Sequence, residues 1–122
     1  DVNGLKHIND YYGHQHGDEM LKAVASAIKE TVRTQDTLAR VGGDEFCLIL
    51  DNATANACQV FSERLNELRN RLTMTVNGKP IPLTFSFGYA CTEVDSLKNL
   101  LILADERMYS DKKRYYLSLA EA

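Results

Sequence analysis

The 122 residues predict an α/β domain in which helices flank a mostly antiparallel sheet. Three observations carry this. Two long stretches repeat apolar residues at spacings of three and four, glycine-containing pairs stand between strand-like runs, and Phe85 and Phe87 alternate with Thr84 and Ser86. Hairpins join antiparallel neighbours, so a sheet built on such turns is not all parallel.

The elements follow in order. Asp1 to Asp18 is dense in polar residues and glycine and reads as a turn-rich connection, with Asn9 as a local turn former. Gly17 to Thr34 carries Met20, Leu21, Val24, Ala25, Ala27, Ile28 and Val32 on one helical face, with Asp18 in its first turn. Leu38–Val41 and Asp44–Leu50 read as strands around Gly42-Gly43, where glycine tolerates positive φ at both central positions. Ala53 to Leu72 is a second amphipathic helix, burying Ala57, Val60, Phe61, Leu65, Leu68 and Leu72. Asn77-Gly78 marks another turn, and Pro80 to Thr92 is strand-rich. Ser96 could cap a last helix that carries Leu97, Leu100, Leu101, Leu103, Ala104 and Met108.

Composition narrows the classes without choosing a function. Hydrophobic residues at 44% and charged residues at 25% fit a folded domain rather than disorder or coiled coil. A net charge of −3 argues against an electrostatic grip on nucleic acid. No apolar run reaches the roughly 18 residues of a membrane span, so no membrane contact is expected of this domain. Cys47, Cys58 and Cys91 form no CxxC pair, which suits a reduced, cytoplasmic compartment.

The Gly42-Gly43-Asp44-Glu45 hairpin is the most informative feature for chemistry. Glycines lower the steric wall for a bulky ligand, and a carboxylate there suits Mg²⁺, which takes one or two carboxylates plus substrate phosphates. A solvated turn with ordinary polar residues fits the same letters. In the first eighteen residues, Asn and Asp side chains could read a purine edge and Lys6 could counter phosphate charge. Other templates fail. There is no GxxxxGK[ST] loop, and the three histidines lack the HExxH pattern or partner cysteines. Cys47 and Cys58 fall in a strand and on an apolar helix face, as packing residues do.

Taken together, four segments resemble the GGDEF family of diguanylate cyclase domains. The signature stands as Arg40-Val41-Gly42-Gly43-Asp44-Glu45-Phe46. DVNGLKHINDYYGHQHGD, from Asp1 to Asp18, is similar to the upstream DxDxFKxIND…GHxxGD pattern, departing at Asn3 and Leu5. Leu83 to Ala90 resembles the strand ending in SxG, and Ala104-Asp105 through Tyr109 and Lys112 the final ADxxxYxxK helix. The resemblance implies a palm-like, nucleotidyl cyclase-like domain that condenses two GTP into cyclic di-GMP and two pyrophosphates. It implies that Asp1, the Val2 carbonyl and Asp44 hold Mg²⁺ or Mn²⁺, with Asp44 as candidate base, Glu45 its essential neighbour, and Gly42 and Gly43 at the substrate. Asn9, Asp18 and His14 are expected at the nucleoside, and Lys6 and Lys112 at phosphate oxygens. One nucleotide-reading set per chain and a symmetric product imply a transient homodimer, with activity rising faster than protein concentration.

Arg33-Thr34-Gln35-Asp36 resembles the RxxD motif of product-inhibited members, and Arg64 the helix arginine that joins that site from a second domain. A helix-end arginine with a turn aspartate is the plainer account of the same letters. The pattern also implies that the family's first helix, with its DxLTxLxNR motif, and most of its first strand are missing from 1–122, and that a sensory or other signalling domain accompanies the parent. A cationic α-amino group at Asp1 would oppose Mg²⁺, so these 122 residues alone are expected to be a poor enzyme. After Lys112 the family's xxGRN arginine falls on Tyr116, with Arg114 as a possible substitute. Two alternatives follow: a degenerate domain that binds GTP or cyclic di-GMP without turnover, or an interaction domain regulating an attached enzyme.

Overall fold

The computed structural model describes residues 1–121. Its elements are α1 (Leu5–Tyr12), α2 (His14–Lys29), the hairpin β1 (Thr37–Arg40) and β2 (Phe46–Ile49), α3 (Ala55–Arg71), the hairpin β3 (Thr73–Val76) and β4 (Lys79–Pro82), a 3-10 turn at Leu97–Asn99, and α4 (Leu100–Glu121). Both hairpins are antiparallel, with Leu38 opposite Leu48 in the first and Met74 opposite Ile81 in the second. Helices packed on antiparallel strands bear out the α/β expectation.

The first hundred residues differ from the sequence expectation at identifiable points. Asp1 to Asp18 is no loop: α1 forms there, with only Leu5, Ile8 and Tyr12 turned toward the core. Eight residues offer too few repeats for a 3.6 period to stand out. Gly13, at φ 94, breaks the backbone between α1 and α2. The second helix therefore starts at His14, which puts Asp18 beyond its first turn, and it ends at Lys29 rather than Thr34. In α3, Thr54 caps the Ala57 N–H at 3.1 Å, while Ala57 and Val60 face solvent instead of the core. Pro80 to Thr92 is strand only over Lys79–Pro82 and at an isolated antiparallel bridge between Phe85 and Val2. Beyond Pro82 the Leu83 N–H still reaches the Leu72 carbonyl at 2.9 Å, and Thr84 to Ser86 pair with the short Asp1–Asn3 segment.

Val2, Ile8, Met20, Leu21, Val24, Ile28, Leu65, Leu68, Leu83 and Phe85 form the core, drawn from α1, α2, α3 and the Val2–Phe85 bridge. The last helix joins it differently. Leu97, Leu101 and Ile102 are 76%, 70% and 58% exposed, and Ser96 makes no side-chain bond, against the expectation of a cap there. Periodicity marks an apolar face but not what covers it. The helix is seated at Gly88 instead, where an added Cβ would stand 2.2 Å from the Met108 nitrogen and 2.6 Å from the Ala104 carbonyl. A mostly apolar slot of about 130 Å³ is lined by Leu38, Phe46, Leu48, Leu65, Phe85 and Phe87.

Candidate active site

The site is framed by the segment Asp1–Asn3, laced between two others. The Asp1 carbonyl accepts the Ser86 N–H at 2.8 Å and the Asp1 α-amino group donates to the Ser86 carbonyl at 3.0 Å. Asn3 N–H donates to the Thr84 carbonyl, and on the opposite side Val2 N–H donates to the Asp44 carbonyl at 2.8 Å. Asp1 and Asp44, distant in sequence, thus become neighbours. Burial lowers the pKa of the Asp1 α-amino group, opposed by the Asp44 and Glu45 carboxylates, which share its surroundings.

The Asp1 side chain is only 3% exposed, and its Oδ2 accepts from Lys112 Nζ at 3.0 Å. Its Oδ1 is buried with no partner, as are Asn3 Nδ2 and Asn9 Oδ1. A buried polar atom left unpaired costs about 1–3 kcal/mol, so three within nine residues mark a place shaped for something else. Among the described residues no three acidic, histidine or cysteine groups form a ready cage. The orphaned carboxylate oxygen of Asp1, whose neighbour Val2 bonds the Asp44 carbonyl, fits a hard cation that brings further oxygens with it, as Mg²⁺ or Mn²⁺ does on a triphosphate.

The signature hairpin is a five-residue loop rather than a two-residue turn. Val41 N–H donates to the Glu45 carbonyl at 3.0 Å, and neither Gly42 nor Gly43 has positive φ. The turn closes without left-handed residues because Arg40 gathers its carbonyls, with Nε 3.1 Å from Gly42 O and Nη2 2.6 Å from Gly43 O. A Cβ on Gly43 would meet nothing within 4 Å, and one on Gly42 only ordinary contact with Glu45. The chain itself therefore does not demand glycine there, and open space lies beside the loop. An open cleft of about 430 Å³ runs past it, lined by Asp1, Glu45, Phe46, Ser86, Leu101 and Asp105. Asp44 is half-buried and Glu45 exposed; both precede β2, so strand alternation does not govern their directions.

Lys6 projects from α1 and His14 begins α2, both exposed. Asn9 lies against Gly17, so close that a Cβ there would come within 1.8 Å of Asn9 Oδ1, and Asp18 follows directly, exposed to solvent. The two helices thus bring Asn9 beside the Gly17–Asp18 stretch with an unpaired amide oxygen.

The RxxD turn is closed on itself. Asp36 accepts from the Arg33 N–H at 2.9 Å, from its guanidinium and from the Asp51 N–H, and Arg33 Nη2 reaches the Asp51 carbonyl at 2.7 Å. Burial pulls the Asp36 carboxyl up in pKa, but these donors outweigh it and hold it below the ordinary range. Arg64 is exposed on α3. At the other end Arg114 turns onto Asp111 at 3.3 Å, while Tyr116 borders a hollow with Lys112 and Leu117. Sequence reading passed over Ser86 and Asp111. The serine of SxG was the only signal for the first, and an aspartate in an exposed helical pattern gives none for the second.

Helices on an antiparallel sheet, with a glycine hairpin beside an acidic segment, place the fold in the palm-like α/β class. The chain belongs to the GGDEF family, matching the description "Diguanylate cyclase, GGDEF domain" over residues 1–115. It is 37% identical over 115 residues to Diguanylate cyclase A of Treponema denticola, covering 93% of this chain and 31% of that protein. It is 40% identical to the probable diguanylate cyclase DgcJ of Escherichia coli, covering 93% of this chain and 22% of that one. The chain therefore spans under a third of these relatives. Among solved structures it is similar to the GGDEF domain of DgcB from Caulobacter crescentus in complex with c-di-GMP, with TM-score 0.77 and 29% identity over 93% of this chain and 68% of that one. It is also similar to diguanylate cyclase SiaD of Pseudomonas aeruginosa in complex with its activator SiaC, with TM-score 0.78 and 26% identity over 93% and 44%. No helix among the described residues is long and apolar enough to cross a membrane.

Proposed function

We propose that this chain is the catalytic domain of a diguanylate cyclase, joining two GTP molecules into cyclic di-GMP with release of two pyrophosphates. Each 3′-oxygen forms a bond to the α-phosphorus of the other GTP while the bond to the β-phosphate breaks. The observation that carries this reading is the shielded Asp1 carboxylate, next to Asp44, with one oxygen unpaired.

Asp1, the Val2 carbonyl and Asp44 would hold Mg²⁺ or Mn²⁺, which when bound polarises the α-phosphate and lowers the pKa of the attacking hydroxyl. Asp44 takes the proton of the 3′-hydroxyl, with Glu45 beside it. Asn9 and Asp18 read the guanine edge, with His14 at the nucleoside. Adenine lacks the donors of that edge, so an Asp18 aimed at it would be left unpaired. Lys6 and Lys112 neutralise phosphate oxygens, and Gly42 and Gly43 leave room for the nucleotide's approach.

Two chains face each other, since each presents one GTP. A signalling domain of the parent protein governs the pairing. Cyclic di-GMP binds at Arg33 and Asp36, joined by Arg64 of the second domain, and slows turnover. A binding-only domain is the second reading, favoured by Tyr116 at the family's arginine position and by Arg114 being engaged at Asp111. Incubating the parent protein with GTP and Mg²⁺, beside an Asp44→Ala control, decides between them: cyclic di-GMP formed by the unaltered protein alone, more than proportionally to its concentration, is expected. Tight GTP binding without product would establish the second reading.

A further inference from the structure

Helix α4 carries the lysine that touches Asp1, yet it contributes no residue to the apolar core. Asp111 is the one residue of α4 that is buried among the described residues, at 8% exposed. Its Oδ2 accepts from Arg69 Nη1 at 2.6 Å and from the Phe87 N–H at 2.9 Å. Its Oδ1 receives Arg69 Nη2 at 3.5 Å and Arg114 Nη2 at 3.3 Å. Arg69 in turn donates to the Phe85 carbonyl at 3.3 Å and lies over the Phe87 ring at 4.9 Å. One carboxylate therefore ties α4 to α3 and to the backbone on both sides of Ser86.

These contacts close a ring. Ser86 holds the backbone of Asp1 through two hydrogen bonds, Phe87 follows Ser86 and is held by Asp111, and Lys112 follows Asp111 and holds the Asp1 side chain. Lys112 Nζ can meet Asp1 only if α4 keeps its rotation and height against the Phe85–Phe87 segment. Gly88 allows the close approach but fixes no rotation, because it offers no side chain to grip. Directional bonds to a charged group can, and they are the strong class of hydrogen bond.

We propose that Asp111, gripped by Arg69, is a positioning residue for the nucleotide site: it sets the height and rotation of α4 so that Lys112 meets Asp1 and, on substrate binding, the phosphates. The phosphate half of this statement rests on the function proposed above; the Lys112–Asp1 half does not.

The test has two arms on the parent protein. Without nucleotide, the protected ammonium signal of Lys112 is followed by nitrogen-15 NMR. It is expected in the unaltered chain and lost in Asp111→Asn, with the amide spectrum still that of a folded domain; a Lys112 signal that persists in folded Asp111→Asn overturns the proposal. In the second arm, binding of a non-hydrolysable GTP analogue with Mg²⁺ is measured in a double-mutant cycle. Asp111→Asn is expected to weaken binding about tenfold when Lys112 is present and to change nothing when Lys112 is alanine. Equal losses in both backgrounds mean general loosening and overturn the positioning role. If Asp111→Asn does not fold, Arg69→Gln, which leaves the Phe87–Asp111 bond in place, is read by the same criteria. Failure of the unaltered parent protein to bind the analogue removes the cyclase reading and leaves the NMR arm to decide this one.

Discussion

Two acidic turns of this molecule, at Asp36 and at Asp1, satisfy their carboxylates in opposite ways. Asp36 is surrounded by donors from Arg33 and Asp51, all from its own neighbourhood. Asp1 is as shielded, with a side chain 3% exposed against 2% for Asp36, yet one of its oxygens has no partner and Asn3 and Asn9 nearby share the defect. Satisfied polarity stabilises a loop. Unsatisfied polarity, tolerated at a cost, keeps a place ready for a ligand.

Breaking each turn should separate stability from activity. The largest effect is expected at the open one: Asp44→Ala should lower cyclic di-GMP formation at least about a thousandfold with little change in melting temperature, measured by chromatography of the product. Retained turnover in this variant would dismiss Asp44 as a ligand or base. Gly17→Ala comes next. Its Cβ displaces the Asn9 amide while alanine favours the helix, so GTP binding should fall about tenfold with stability unchanged or raised. Calorimetric titration beside a thermal melt checks both halves. At the closed turn, Asp36→Ala should reverse the pattern and destabilise by about 1–3 kcal/mol in urea, because the Asp51 N–H and the Arg33 guanidinium lose their acceptor.

The smallest effect is in pH. The Asp95 carboxyl is held at about 2, chiefly by the Arg107 guanidinium and then by the Cys91 N–H, and Asp111 and Asp36 are also lowered. For Asp111, burial pulls upward but is outweighed by Arg69, the Phe87 N–H and Arg114. All three fall below their unfolded value near 3.9, so the unfolded chain binds more protons in that window. Their stabilisation is complete above about pH 5 and is lost as pH falls toward 2. Urea midpoints at pH 7, 5 and 3 should drop at the last step, and less steeply in Asp95→Asn.

The sequence was legible where local chemistry decides. Asn77-Gly78 forms its turn with both residues at positive φ, 52 and 78, as a tight hairpin demands. Thr54 caps α3 within two residues of the expected start. The same logic failed at Gly42-Gly43, because a side chain rather than the backbone, that of Arg40, closes the five-residue loop and frees its glycines from the positive-φ requirement. Motif spacing singled out Asp1, Asn9, Asp18 and Asp44 as candidates. It could not reveal that Lys112 would meet Asp1 or that Asp111 would be buried, since those contacts span 111 and 42 residues. Long-range pairings of that kind depend on how elements dock, which periodicity does not encode.

The ammonium resting on Asp1 bears on how the protein should respond to chelators. It supplies a built-in counterion, so the Asp1 carboxylate does not depend on a bound metal to balance its charge. Chelators should therefore leave the unliganded chain's melting curve where it was, in contrast to zinc fingers, whose architecture collapses with their metal.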